Sequence, residues 1–147
     1  MQEEDGRTAA SYFAESGQER PLQQLIDKGA DLNMVGHAEL TPLMYAIKKE
    51  QTSVVIKLLN TTLVDCNKRT TKGRSALWFA VEQNSIKVMT ELLGNGDGIN
   101  QEDDYQVSPL FLAAKKGHEE AVNLLVKQGT AVDKEDNSQV TPLIWAM

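Results

Sequence analysis

The side chains best suited to chemistry in this sequence are two histidines, His37 and His118, and a single cysteine, Cys66. Zinc ligands come in short paired spacings, and a nucleophile needs a general base within hydrogen-bond reach. These three residues show neither pattern, and Cys66 reads as a structural thiol. The run Gly94-Asn95-Gly96-Asp97-Gly98 has the glycine density of a phosphate-cradling loop. Such a loop follows a strand and opens a helix, whereas this run follows a helical pattern and leads into a polar stretch. It reads as a helix stop. Asp103-Asp104 and Glu119-Glu120 are neighbouring carboxylates with no sign of the burial that tunes a carboxyl for acid–base work, so they read as solvated charge. Asn60-Thr61-Thr62 matches a glycosylation acceptor and is read as a chance triplet. No catalytic residue, metal or cofactor is expected.

The 147 residues are 41% hydrophobic and 24% charged, an ordinary globular balance for one domain. Aromatics supply only 5%, so burial must come from many Leu, Val, Ile and Ala side chains. A net charge of -6 disfavours general attraction to nucleic acid or anionic lipid and leaves room for local basic patches. With a single cysteine, no intrachain disulfide can form, which fits a reducing compartment. The acidic start, Met1 to Asp5, is unlike a secretory leader, and no stretch approaches the ~18–20 apolar residues that span a bilayer. A monomeric cytoplasmic protein, with the nucleus as an alternative, is expected.

The elements that position these residues are set by an internal repeat. Thr41-Pro-Leu-Met-Tyr-Ala, Ser75-Ala-Leu-Trp-Phe-Ala, Ser108-Pro-Leu-Phe-Leu-Ala and Thr141-Pro-Leu-Ile-Trp-Ala start 34, 33 and 33 residues apart. A weaker copy opens at Thr8. Asn33, Asn67, Asn100 and Asp133 keep the same beat. Leu25, Leu58, Leu92 and Leu125 place the one extra residue between Leu58 and Asn67, in a loop, where insertion costs least. Each copy reads as two helices. The hydroxyl residue is an N-cap and the proline after it takes the first helical position. Leu43, Ala46 and Ile47 make one apolar face, and Val54, Val55, Leu58 and Leu59 make another. Gly29, Gly96 and Gly129 follow second helices as stops. One such pair cannot bury its own stripe, so neighbours must stack.

This pattern resembles the ankyrin repeat, over about residues 8 to 147. Its Thr-Pro-Leu openings, Gly117-His118 and the close Gly29-Ala30-Asp31-Leu32-Asn33 carry the likeness. The resemblance implies an all-α ankyrin-repeat solenoid of stacked helix–turn–helix units with hairpin-like fingers, about 4.5 repeats. Its bounds are 8–40, 41–74, 75–107, 108–140 and a partial 141–147, all within one domain over 1–147. The family's opening His is replaced by Ser11, Met44, Trp78, Phe111 and Ile144, which shifts inter-repeat contact towards apolar packing. Repeat two lacks the terminal Gly and repeat three has Ala76 for Pro, changes expected to distribute stability unevenly. Polar dilution at Gln23-Gln24 suits a capping first repeat. At the other end, a half-repeat stopping at Met147 reads as a segment of a longer chain, or else as a cap in itself.

The resemblance also implies that partners bind at finger tips and along the inner surface of first helices. Carried over by position, that surface comprises His37 and Leu40 with Lys48 and Lys49, then Arg69, Lys72 and Arg74 with Glu82. Asp104 and Tyr105 with Lys115 and Lys116 follow, and Asn137 comes last. The basic finger Lys68–Arg74 stands beside the acidic Glu102–Tyr105. Two readings stay open: a docking point for an acidic segment with Tyr105 as anchor, or pairing of adjacent fingers. Lys68-Arg69-Thr70-Thr71 weakly resembles a basophilic kinase site. Tyr12, Tyr45, Phe79 and Trp145 are expected to pack between repeats. A non-catalytic protein–protein interaction module, scaffold or adaptor, is therefore the expected function. The alternative is a regulatory segment of a larger enzyme, channel or toxin.

Overall fold

The computed structural model describes residues 6–96 and 98–129. The fifth copy, with Asn137 and Trp145, lies outside them. Among the described residues there are eight helices and no strand: α1 (Ala9–Ser16), α2 (Glu19–Asp27), α3 (Pro42–Lys48), α4 (Thr52–Asn60), α5 (Ala76–Glu82), α6 (Ile86–Gly94), α7 (Pro109–Lys116) and α8 (Glu119–Lys127). Each odd-numbered helix starts on its hydroxyl residue. The Oγ atoms of Thr8, Thr41, Ser75 and Ser108 accept the N–H of Ser11, Met44, Trp78 and Phe111 at 3.1, 3.2, 3.2 and 3.1 Å. A cap of this kind contributes about 1 kcal/mol. Pro42 and Pro109 sit at the first helical turn, where no donor is lost.

Odd helices pack on odd helices, α1 on α3, α3 on α5 and α5 on α7, while α4, α6 and α8 form a second row. Ala46, Ala80 and Ala113 are fully buried in the odd row, and their small size lets neighbouring helices approach. Phe13 holds the same register position in the first repeat and is only partly buried. The residues replacing the family's opening His, namely Ser11, Met44, Trp78 and Phe111, are all buried. The core is a continuous ladder of Leu22, Leu43, Leu58, Leu77, Leu92, Leu110 and Leu125.

The Asn markers acquire a physical role. The Asn33 side chain donates to the Leu63 carbonyl at 2.9 Å and accepts the Asp65 N–H at 2.7 Å. Asn67 likewise accepts the Gly98 N–H at 3.2 Å. The amide thus ties each loop to the next. The second helices carry a parallel device: Gln51 donates to the Glu15 carbonyl at 3.0 Å, and His118 Nε2 lies 3.2 Å from the Glu82 carbonyl. His118 therefore joins neighbouring repeats, a structural task.

Every described residue with positive φ falls into one of three slots that recur with the repeat. The finger turn uses Gly6, Glu39, Gly73 and Gln106. The turn between helices uses Gly17, Glu50, Asn84 and Gly117. The stop after the second helix uses Gly29, Thr62, Gly96 and Gly129. Each finger is counted with the two helices that follow it, so that Gly6 and Arg7 go with repeat one, Glu39 with repeat two, and Gly73 and Arg74 with repeat three. So counted, repeat two has no glycine in any of the three slots. Thr62, at φ 59°, puts a β-branched side chain where Cβ is most crowded.

Candidate interaction surface

The fingers are tight turns. In the third, Thr70 N–H donates to the Arg74 carbonyl at 3.0 Å and Gly73 N–H to the Thr70 carbonyl at 2.8 Å. In the fourth, Asp103 N–H donates to the Val107 carbonyl at 3.1 Å, and the Asp103 carboxylate accepts the Tyr105 and Val107 N–H groups. Between these fingers and the odd helices lie two adjoining clefts. One, of about 230 Å³, runs from Leu40 and Lys48 to Thr71, Lys72, Arg74 and Phe79. The other, of about 410 Å³, is lined by Arg74, Trp78, Asp103, Tyr105, Val107, Leu112 and Lys115. Arg74 borders both.

Aromatic rings floor the clefts and hold cations above them. The Arg74 guanidinium carbon lies 4.0 Å from the centre of the Trp78 ring. Lys48 Nζ stands 5.6 Å from that of Phe79. Trp78 and Phe79 meet edge-on at 5.3 Å. Such contacts hold a cation in place without neutralising it. Tyr105 projects from the fourth finger, 54% exposed.

Six residues expected on the binding surface thus come together here: Leu40, Lys48, Lys72, Arg74, Tyr105 and Lys115. Leu40 does so from below, since it is buried in the core and shows only an edge. Others lie elsewhere. His37 packs its ring over Gly6, leaving no room there for a Cβ. Lys49 Nζ stands 3.9 Å from Glu15 Oε1. Arg69 is committed to the finger itself, donating from Nε to the Gly73 carbonyl at 2.9 Å and from its terminus to the Glu102 carbonyl. Asp104 donates its N–H to the Lys72 carbonyl at 2.9 Å. Glu82 lies partly buried at the end of α5, and Lys116 is exposed at the end of α7. The basic and acidic fingers are therefore joined at least in part through backbone carbonyls. Gly73 is needed at this junction, because a Cβ would sit 2.6 Å from Asp104 Oδ1 and 2.9 Å from its nitrogen.

A second arginine–aromatic unit escapes sequence reasoning. The Arg7 guanidinium lies between Tyr12 and Tyr45, 4.2 and 4.3 Å from their ring centres, and pairs with Glu15. Burial works against its charge, but the hydrogen bond and charge of Glu15 prevail and hold its pKa above the ordinary value. The signal was present: Arg7 and Arg74 each stand immediately before the capping hydroxyl of their repeat. Among the described residues no cluster of His, Cys, Asp and Glu could hold a metal ion, and no helix is long and apolar enough to cross a membrane.

Comparison with known proteins agrees with this architecture. The sequence profile for ankyrin repeats in three copies matches residues 1–70 and 77–147. The ankyrin repeat protein FPV223 of fowlpox virus (strain NVSL) is 34% identical over 115 residues, covering 77% of this chain and 78% of its own length. The ankyrin repeat protein FPV244 of the same virus is 26% identical over 109 residues, 74% of this chain and 16% of that protein. Neurogenic locus notch homolog protein 1 of Homo sapiens is 29% identical over 114 residues, 77% of this chain and 4% of that protein. With its register of capped helices, loop-tying asparagines and recurring turns, the chain belongs to the ankyrin-repeat family.

Proposed function

We propose that this protein is a non-catalytic interaction module, a scaffold or adaptor in the cytoplasm or nucleus, that binds a partner protein across its fingers and odd helices. The observation that carries this reading is the pair of adjoining clefts sharing Arg74. There, basic side chains are held over aromatic rings in a protein whose net charge is -6. Buried rings with charged heads above them are the composition of interface hot spots. Ankyrin repeats generally serve as protein-interaction modules, which supports the same reading. A second reading, a regulatory repeat segment within a larger protein, is favoured by relatives in which the matched stretch is a small fraction of the whole.

Affinity capture on the full chain tests the surface. A Lys48→Glu/Lys72→Glu double variant is compared with Lys116→Glu/Lys127→Glu, which makes the same charge change away from the clefts. Partners held by the parent chain and by the second variant should be lost from the first. Equal retention by both variants overturns the assignment.

A further inference from the structure

Resting on that reading, we infer that the Arg74–Trp78 cleft receives a side-chain carboxylate from an acidic segment of the partner protein. The argument comes from the molecule's own repetition. Arg7 and Arg74 occupy the same register position in repeats one and three, each with its guanidinium over aromatic rings. In repeat one the charge is answered within the chain by Glu15. Glu82 holds the corresponding position in repeat three, yet among the described residues no ion pair or hydrogen bond joins it to Arg74. The repeat-one unit shows what completes this arrangement, and the repeat-three unit lacks it.

Local chemistry points the same way. Trp78 is 7% exposed, and both its Nε1 and the Arg74 Nε are buried without a hydrogen-bond partner among the described residues. Buried donors left unpaired are costly and rare. A carboxylate arriving above the stacked pair draws the guanidinium towards itself and takes Nε and a terminal nitrogen together, the bidentate geometry arginine favours. Lys115 adds a second cation on the rim of the same cleft, while the Asp103 carboxylate is occupied by its own finger's N–H groups. Leu112 and the exposed Tyr105 offer apolar surface beside the charge. The occupant is therefore an acidic residue with an aromatic or aliphatic neighbour within one or two positions.

The probe is an array of short peptides with one fixed Glu and all residues varied around it, followed by fluorescence anisotropy on labelled hits with the full chain. Hits should carry an aromatic or aliphatic neighbour. Replacing the fixed Glu by Gln, or Arg74 by Ala, should each weaken binding roughly ten- to hundredfold, the loss of one charge-assisted contact. Lys115→Gln should weaken it less, and Lys127→Ala, at the end of α8 and away from the clefts, should leave it unchanged. Because Arg74 packs on Trp78, a thermal melt accompanies Arg74→Ala. Should that variant unfold, Arg74→Gln and the exposed Lys115→Glu decide. Binding that tolerates Gln for Glu, that survives the Arg74 variants, or that no acidic peptide shows with the parent chain overturns the inference. If captured partners still depend on Lys48 and Lys72, the broader interaction surface stands and the carboxylate reading alone falls.

Discussion

Repeats one and two share a backbone and differ in what makes them adopt it. Repeat one has glycine at all three positive-φ slots, Gly6, Gly17 and Gly29, and repeat two has Glu39, Glu50 and Thr62 at the same three. L-residues in that conformation cost roughly 1 kcal/mol each relative to glycine. Repeat two nevertheless turns in the same places, because it is packed on both sides, tied by Asn33 and Gln51 to repeat one and by Gln83, which donates to the Lys48 carbonyl, to repeat three. In a stack, the interface imposes a conformation that local preference resists. Repeat one complies locally and is fastened to repeat two by Arg7 between Tyr12 and Tyr45.

The largest test removes that fastening. Arg7→Ala loses two ring contacts and leaves Glu15 without this partner, which should cost about 2–3 kcal/mol in chemical denaturation. Arg74→Ala, with one ring contact and no ion pair among the described residues, should cost clearly less, about 1 kcal/mol. Equal costs would erase the distinction between a closed arginine unit and an open one. Next, Gly17→Ala places repeat two's difficulty in repeat one. The added Cβ takes a strained φ of 72° and meets Gln51 Oε1 at 2.6 Å, disturbing its bond to Glu15. A loss of about 1–2 kcal/mol is expected. No loss in a thermal melt would mean that the slot is indifferent to residue type.

The reverse exchange should stabilise. Thr62→Gly puts glycine into the slot held by Gly29, Gly96 and Gly129, and should gain about 1 kcal/mol despite the greater freedom of the unfolded chain. A melting temperature unchanged or lowered would show that Thr62 is not strained.

These contrasts also explain what was legible in the sequence. The helix starts were readable because Thr8, Thr41, Ser75 and Ser108 act on backbone three residues ahead, a local matter of type and spacing. The strain at Thr62 was half readable, as a missing glycine. Glu39, Glu50 and Gln106 were not, because only stacking reveals that their slots need positive φ. For the surface, Lys48, Lys72, Arg74, Tyr105 and Lys115 followed from the family resemblance carried over by register. Leu40 carries the right register but turns inward, and Arg69 is drawn to carbonyls in a neighbouring finger. Trp78 was read as an apolar stand-in for histidine. Its part as a platform depends on Arg74, which precedes it by four residues and folds back over its ring across the helix start.

Glu39 gives the finest test, because strain and contact oppose each other at one residue. Its backbone sits at φ 58°, while its carboxylate accepts the Thr71 N–H at 2.6 Å and so links the second finger to the third. Glu39→Ala removes the hydrogen bond and keeps the strain, and should destabilise by about 1 kcal/mol. Glu39→Gly removes both, so its net effect should fall within about 0.5 kcal/mol of zero. The difference between the two variants isolates the conformational cost that stacking imposes on repeat two. If Ala and Gly prove equal, that cost is absent, and repeat two adopts its turns as readily as repeat one.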